Sequence, residues 1–434
     1  MVMSTFIIRG GTVVHSSSTQ RADVLIRDGR IVEVGVGLDA TSATEIDADG
    51  CLVGPAFVDL HTHLREPGNE AAETIESGAR AAAVGGYGAV VAMPNTTPAI
   101  DSAAVVGYVY ERARHAVIDV VVAGAITVGR EGKNLAPMAE MAALGVRLFT
   151  DDGNGVQHGG VMRRALKYSS ALGVRLAQHC ELDDLAGSGV MNDGALAARL
   201  GLSGRSALAE EIMVMRDIEF VRASGGRLHF LHLSTQRSVE LVAAAKADGL
   251  DVTCEVAPHH FSLNEELCAT FDPVFKVHPP LRTARDVNAL RGALQRGDID
   301  AVATDHAPHT PESKDGTFDD APPGMLGLET AAALTWDAVG GDALRFFNVL
   351  SRGPARVAQL RAGEQGVRRV AHGGEIAPGE DAAVVIFDPM ASWTVDRATL
   401  QSRARNTPFH GMNVTGAVRA TVVGEPVWLN GEFR

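Results

Sequence analysis

The chain has 434 residues, 46% hydrophobic and 21% charged, which is enough for one large domain and a smaller one. Its formal net charge of −14 at pH 7, with no basic run, disfavours nucleic acid as a partner. There is no signal-peptide pattern and no apolar stretch of roughly eighteen residues, so we expect a cytoplasmic protein without a membrane partner. The scattered Cys51, Cys180, Cys254 and Cys268 predict reduced thiols in or near the core.

Short strands are predicted at both ends of the chain. Residues 5–15 and 22–35 have strand patterns, and Asp28-Gly29, between two alternating runs, predicts a hairpin. Strand patterns return near the C-terminus, in residues 381–389 and 416–434. We therefore expect the two ends to fold together as one small β-domain.

The middle of the chain alternates short apolar runs with helix-periodic segments. In one such segment Ser206 can cap a helix that Gly225 can end, and one apolar face is predicted for it. That face comprises Leu208, Ile212, Met215 and Ile218. Alternation of this kind is typical of a parallel sheet with crossover helices.

Eight apolar runs in the middle are predicted to be strands. They cover residues 56–63, 87–95, 119–127, 145–152, 173–180, 227–234, 251–260 and 300–309. The number fits a (β/α)8 TIM barrel, and a doubly wound open sheet with the same number of strands is the alternative. The predicted fold is α/β, with a barrel over residues 55–365 and a small β-sandwich domain made of residues 1–54 and 366–434.

Nearly every predicted barrel strand ends in a polar side chain suited to catalysis or metal binding. They are His61, His63, Asn95, Asp151, Asp152, His179, His232, His259, His260 and Asp305. In a barrel these ends converge on one mouth, where active sites are built. Barrel interiors otherwise prefer Val, Ile and Leu, so the histidines and aspartates indicate a functional cluster.

The donors in this cluster are nitrogen and oxygen, which suit Zn²⁺ and also Mn²⁺, Co²⁺ or Fe²⁺. Four histidines and two aspartates are too many for one tetrahedral catalytic zinc. We therefore expect two metal ions bridged by a shared carboxylate and a hydroxide, a nucleophile for metal-assisted hydrolysis. Asp305, at the end of the eighth run, is placed to take the proton of that hydroxide and return it to the leaving group.

Several motifs together resemble the class I dihydroorotases, a branch of the cyclic amidohydrolases, over nearly the whole chain. They are DLHTHLREPG, GGYGAVVAMPNTTPAIDS, LFTDDG, LAQHCE, EVAPHHF, ATDHAPH, PPGMLGLET and RNTPFHGM. The resemblance implies reversible cyclisation of N-carbamoyl-L-aspartate to (S)-dihydroorotate with loss of water, a step of de novo pyrimidine (UMP) biosynthesis.

The resemblance also implies a ligand set for two divalent ions, which we expect to be zinc. His61, His63 and Asp305 would hold the first ion, His179 and His232 the second, and Asp152 would bridge them. Related enzymes often bridge with a carboxylated lysine, which LFTDDG lacks, so this chain resembles the subgroup that bridges with aspartate. Asp151 is the competing choice, since strand alternation lets only one of the pair face the metals.

A substrate that carries a carboxylate requires a cation in the site, and Arg65 can supply a bidentate one two residues after His63. The resemblance implies further substrate contacts by Asn95, His309 and the backbone of Pro323 and Gly324. One position departs from the family: His278 stands where an asparagine is usual, so a different hydrogen-bonding group, which can be charged near pH 6.5, faces the substrate. We predict structural roles for His259 and His260.

Two alternatives stay open from the sequence. Another cyclic amidohydrolase, such as a hydantoinase, dihydropyrimidinase or allantoinase, shares the metal site but has no clear need for Arg65. An inactive scaffold homologue bound to aspartate transcarbamoylase would relax the metal ligands first, and all six are present. We also expect a homo-oligomer and consider aspartate transcarbamoylase as a partner that orders the Gly-rich loop at residues 153–160.

Overall fold

The N-terminal strands form one side of a large sheet in the computed structural model, which describes residues 5–41, 43–360 and 369–434. They are β1 (Thr5–Val14), β2 (Thr19–Arg27), β3 (Arg30–Gly35), β4 (Thr44–Asp47) and β5 (Leu52–Pro55). The predicted hairpin between β2 and β3 is confirmed. Its turn residues Asp28 and Gly29 have φ of 50° and 74°, as a tight two-residue turn requires.

The middle of the chain supplies the next strands. They are β6 (Phe57–Thr62), β7 (Tyr87–Ala92), β8 (Asp119–Val122), β9 (Leu148–Thr150), β10 (Arg175–Gln178), β11 (Met191–Asn192), β12 (Gly204–Arg205), β13 (Leu228–Phe230), β14 (Val252–Val256) and β15 (Ala301–Val302). Strands β11 and β12 pair only with each other, and the rest form the barrel.

The barrel strands form a closed ring. Strands β6, β7 and β8 pair in parallel, and so do β9, β10, β13, β14 and β15. Parallel bridges from Gly124 to Phe149 and from Thr62 to His306 join the two groups at both edges. This closure confirms the predicted barrel and excludes the open doubly wound sheet.

Helices lie between these strands and continue after the last one. They are α1 (Ile75–Val84), α2 (Ala103–Ala113), α3 (Met138–Ala143), α4 (Gly159–Leu172), α5 (Asp183–Ala186), α6 (Ala195–Leu200), α7 (Ala207–Ser224), α8 (Gln236–Ala247), α9 (Pro258–Ser262), α10 (Ala284–Arg296), α11 (Pro311–Lys314), α12 (Ala331–Ala338), α13 (Ala343–Phe347) and α14 (Gly353–Val357). Shorter helical turns cover Val128–Arg130, Glu265–Thr270, Pro273–Phe275 and Asn348–Arg352.

Helix α7 begins and ends as predicted, and Ile218 of its predicted apolar face is buried, but two other residues of that face are exposed. The Ser206 side chain caps it and Gly225 ends it in the left-handed conformation. Leu208 and Met215, expected on the buried face, are 53% and 49% exposed. The buried face carries polar residues, among them Glu210, which accepts hydrogen bonds from backbone N–H groups after β13. Apolar periodicity does not detect buried polar residues, so the predicted face points in a different direction from the face that is buried.

The C-terminal strands extend the N-terminal sheet. They are β16 (Ala383–Thr394), β17 (Asn413–Val423), β18 (Glu425–Leu429) and β19 (Glu432–Phe433). Strand β16 pairs with β5 and joins both ends of the chain in one nine-stranded sheet. Strands from both halves contribute to one apolar cluster, so the sheet folds around a core of its own. The predicted β-domain from both termini is confirmed.

The predicted domain bounds stay predictions, and the boundary between residues 365 and 366 lies outside the described residues. All four cysteines are buried free thiols, as expected. Among the described helices, none combines the length and the apolar character needed to cross a lipid bilayer.

Candidate active site

A pocket of about 200 Å³ lies where the barrel strands end. All the predicted site residues except His61 line it. They are His63, Arg65, Asn95, Asp152, His179, His232, His278, Asp305, His309, Pro323 and Gly324. His61 is fully buried and contacts the same carboxylates. The carboxyl ends of the strands thus place the predicted residues together, as a barrel mouth should.

One half of the cluster consists of two histidines and two aspartates. His61 Nε2 lies 3.2 Å from Asp152 Oδ2 and 3.6 Å from Asp305 Oδ1. His63 Nε2 lies 3.1 Å from Asp305 Oδ1 and 3.6 Å from Asp152 Oδ2. One cation between these atoms would contact two imidazole nitrogens and two carboxylate oxygens, a suitable ligand set for a divalent metal ion.

The other half of the cluster faces the second oxygen of Asp152. His179 Nδ1 lies 3.5 Å and His232 Nε2 3.6 Å from Asp152 Oδ1, and these two nitrogens are 3.0 Å apart. The two oxygens of Asp152 therefore point to two different histidine pairs. This is the arrangement that a bridging carboxylate requires.

The structure distinguishes between the two neighbouring aspartates. Asp151 turns away from the histidines and accepts hydrogen bonds from the backbone N–H groups of Ile126 and Thr127, at 2.9 and 3.0 Å, and from the Thr127 hydroxyl. Only Asp152 reaches the cluster. Alternation along the chain gives the two side chains opposite directions, as predicted.

Several nitrogen and oxygen atoms in the cluster are buried but have no hydrogen-bond partner among the residues that the structure describes. They include His61 Nε2, Asp152 Oδ1 and His232 Nδ1. Burial alone would raise the pKa of Asp152, but the charge of His61 and the close approach of His179 and His232 hold it well below its usual value. Buried polar atoms are rarely left unpaired, so an anionic carboxylate among unpaired imidazole nitrogens fits a metal site.

Glutamates behind the cluster orient its histidines. Glu255 accepts hydrogen bonds of 2.9 Å from His61 Nδ1 and from His229 Nε2. Burial opposes its ionisation, yet these two bonds lower the pKa of Glu255 to about 2. Glu181 likewise accepts a 3.0 Å bond from His179 Nε2. Carboxylates in this position fix the tautomer that leaves the other ring nitrogen free for a metal.

Sequence reasoning missed both glutamates. Glu255 lies inside strand β14 between Cys254 and Val256, and all three are buried. A charged residue within a buried barrel strand is the signal that could have revealed it. Glu181 directly follows the LAQHC run and carried no such signal.

Asn95 has a role that was not predicted. Its Oδ1 accepts a 2.9 Å hydrogen bond from His63 Nδ1, so this asparagine holds a histidine of the cluster. Asn95 also lines the pocket, where its amide nitrogen can donate a hydrogen bond to a ligand.

Arg65 lies in the loop after β6, with a positive φ of 60°. Its Nε donates a 3.1 Å hydrogen bond to the Pro308 carbonyl, and among the described residues no carboxylate lies within 4.0 Å of its guanidinium nitrogens. Burial lowers the pKa of Arg65 to about 10, so the group stays cationic at neutral pH. A largely buried cation without a counterion faces the pocket.

His309 and the loop at Pro323 and Gly324 form another part of the pocket wall. His309 Nε2 donates a 2.9 Å hydrogen bond to the Pro323 carbonyl. Gly324 has a φ of 133°, and a Cβ there would lie 2.9 Å from His309 Nε2. Only glycine fits this position without moving the histidine.

His278 presents a neutral imidazole. Burial, and then the positive charge of Arg205, lower the pKa of His278 to about 3. The prediction that His278 can be charged near pH 6.5 is therefore wrong. Its Nε2 is buried without a partner.

His259 and His260, for which structural roles were predicted, differ in their contacts. His260 Nε2 donates to the Pro279 carbonyl at 2.9 Å, a structural contact. His259 Nε2 has no hydrogen-bond partner and lies 3.9 Å from Asp305 Oδ2.

The chain is similar to known proteins over nearly its whole length. Residues 50–238 match the family model described as Dihydro-orotase-like. A dihydroorotase from Pelotomaculum thermopropionicum is 45% identical over 424 residues, which cover 96% of this chain and 97% of that protein. A dihydroorotase from Mycobacterium leprae is 44% identical over 421 residues, which cover 95% and 96%. The solved L-hydantoinase (dihydropyrimidinase) from Arthrobacter aurescens superposes with a TM-score of 0.88 at 25% identity and covers 100% of this chain and 98% of that one.

Proposed function

Because this chain belongs to the dihydroorotase family, we propose that its barrel site interconverts N-carbamoyl-L-aspartate and (S)-dihydroorotate, with loss of water on ring closure, in de novo pyrimidine biosynthesis. The observation that carries this proposal is the largely buried Arg65, which lines the pocket of the Asp152 cluster and forms no ion pair with any residue the structure describes. A hydrolase for uncharged rings would not require that cation, whereas a carboxylate-bearing ring does.

We propose that the site holds two divalent ions, with zinc as the metal. His61, His63 and Asp305 would hold one ion, His179 and His232 the other, and Asp152 would bridge them. When bound, the ions would supply a hydroxide nucleophile at neutral pH and polarise the amide carbonyl.

Asp305 is the proton carrier in this proposal. In ring opening its carboxylate takes the proton of the nucleophile and delivers it to the leaving ring nitrogen. In ring closure it takes the proton from the attacking carbamoyl nitrogen and gives it to the departing carboxylate oxygen, which leaves as hydroxide, and a second proton from solvent completes the water molecule. Burial would raise the pKa of Asp305, but His63 and the other histidines lower it, so the group is ionised and ready to accept a proton.

The substrate carboxylate binds on the rim of the pocket. Arg65 offers it a bidentate cation, and Asn95 offers the amide nitrogen that its bond to His63 leaves free. His309 and the backbone at Pro323 and Gly324 close the other side.

A second candidate is the hydrolysis of uncharged cyclic amides, as by a hydantoinase or dihydropyrimidinase. Two observations favour considering it: the structural likeness to an L-hydantoinase, and the neutral His278 in the pocket. A metal-loaded sample should be assayed with dihydroorotate, carbamoyl-aspartate, hydantoin, dihydrouracil and allantoin. Turnover of the first two compounds alone supports the proposal, and preference for an uncharged ring refutes it.

The inactive-scaffold alternative receives no support from the cluster. All six proposed ligand side chains are buried and converge within a few ångströms of each other. A homo-oligomer and a contact with aspartate transcarbamoylase stay part of the proposal. Equal turnover with and without the transcarbamoylase would refute a requirement for that partner.

A further inference from the structure

The segment between β16 and β17 leaves the terminal sheet and reaches the barrel mouth. It contains the motif RNTPFHGM, residues 405–412, to which the proposed reaction gives no role. Asn406 in this segment is 6% exposed. A buried amide on a connecting segment requires hydrogen-bond partners, and those partners lie in the loops that line the pocket.

The Asn406 side chain joins two loops of the barrel. Its Nδ2 donates hydrogen bonds to the carbonyls of Ala307 and Gly324, at 3.0 and 3.1 Å. Its Oδ1 accepts a 3.2 Å bond from the backbone N–H of His309. The Asn406 backbone carbonyl accepts a further bond, 3.1 Å long, from the N–H of Leu326. Asn406 thus makes two bonds to each loop.

These two loops are the ones that carry the rim of the pocket. One continues from Asp305 to His309, and the other contains Pro323 and Gly324. They also contact each other directly, through His309 Nε2 and the Pro323 carbonyl. The amide of Asn406 fixes the distance between the two loops from behind, whereas the His309 ring fixes it from the pocket side.

The same segment also contacts Glu73, which lies beside His306, the residue that follows Asp305. Glu73 is buried and accepts hydrogen bonds from the Ser402 hydroxyl and the Arg403 backbone N–H. His306 Nε2 lies 3.3 Å from the same glutamate. The segment is therefore anchored independently at Ser402, so loss of the Asn406 bonds would not by itself release it.

We propose that Asn406 is a positioning residue that sets the affinity for the substrate carboxylate by holding His309 and Gly324 at a fixed separation. The proposal rests on the proposed function. A residue of the C-terminal β-domain thereby completes the rim of the barrel site, and within the described part of the chain Asn406 forms no hydrogen bond with a proposed metal ligand.

The test compares Asn406→Asp with Asn413→Asp in the metal-loaded full chain. The first change keeps the size and the acceptor oxygen but removes both N–H donors, and it places an oxygen against two carbonyls. The second makes the same chemical change at an exposed residue of β17, whose Oδ1 accepts a bond from the Thr394 hydroxyl. Measurements are the KM and kcat for dihydroorotate, the metal content and the thermal midpoint.

For Asn406→Asp we expect the KM to rise about tenfold or more, with kcat within about threefold and the metal content unchanged. Asn413→Asp should match the wild type. In a His309→Ala background the KM effect should shrink, because the two residues act through one contact. Asn406→Ser provides the same comparison if the aspartate variant fails to fold.

Four results would overturn the inference. An unchanged KM in an active Asn406→Asp variant refutes the positioning role alone. A fall in kcat with loss of metal assigns Asn406 to the metal centre, and failure of both variants to fold assigns it to stability. A wild-type chain that does not turn over dihydroorotate refutes the proposed function, and the inference with it.

Discussion

Glu255 holds His61 at the floor of the site, with 2.9 Å between Oε1 and Nδ1. This bond keeps the proton of His61 on Nδ1 and leaves Nε2 directed at Asp152, 3.2 Å away. Glu255→Gln places an amide where both neighbouring imidazoles require an acceptor, so the tautomer of one of them must change. We expect metal affinity to fall roughly 10- to 100-fold, measured by competition with a chelator. The exposed Glu240→Gln is the control, and equal affinities in the two variants would refute the orienting role.

The same substitution at Asp151 and at Asp152 tests which of the two carboxylates bridges the metal ions. Asp152→Asn removes the charge between the histidine pairs, so we expect loss of bound metal and of turnover. Asp151→Asn weakens only the bonds to Ile126 and Thr127, so we expect a loss of about 1–3 kcal/mol in the free energy of unfolding with metal retained. Metal analysis and denaturant unfolding of both variants measure these effects. Metal loss from Asp151→Asn instead would reverse the assignment.

Arg65 should control substrate binding more than chemistry. Arg65→Ala leaves the substrate carboxylate without its cation, and we expect the KM for dihydroorotate to rise roughly 100-fold, about 3 kcal/mol, with a smaller change in kcat. Steady-state kinetics on the metal-loaded variant measure this. The exposed Arg237→Ala should behave as the wild type. A KM that Arg65→Ala leaves unchanged would place the carboxylate elsewhere.

His278 should make stability more sensitive to acid. The pKa of His278 is about 3 in the folded chain and about 6.5 in an unfolded chain, so below pH 6.5 the unfolded chain takes up a proton that the folded chain does not. Stability that is present above pH 6.5 is therefore lost as the pH falls. We expect the wild type to lose more free energy of unfolding between pH 8 and pH 5 than His278→Asn, measured by denaturant unfolding. Equal losses in the two proteins would show that His278 is not held neutral.

The sequence predicted the barrel and the cluster well, because both depend on local pattern. Apolar runs of strand length defined the barrel strands, and His61, His63 and Asp305 were identifiable from their places at strand ends. The resemblance implied Asp152 as the bridging ligand, but strand alternation alone left Asp151 as a competing choice, because the direction of each side chain depends on partners such as Thr127. Such partners come from other strands and have no local signal.

The errors and omissions share one cause. Leu208 and Met215 were assigned to a buried face from their apolar spacing, but they are exposed, and the face of α7 that is buried contains the polar Glu210, which is held by hydrogen bonds. Glu255 and Asn406 were missed because their roles depend on contacts with residues distant in the sequence. Apolar periodicity predicts burial of apolar groups only, so paired polar groups in a core escape it.

The central claim is that Asp305 moves the proton during ring opening and closure at this cluster. The most direct measurement is the initial rate with dihydroorotate for the wild type and Asp305→Ala, each with its metal content determined. The account predicts turnover by the wild type and a loss of at least about 100-fold in kcat for the variant, with metal retained at least at His179 and His232. Unchanged turnover in a variant that retains metal would contradict it.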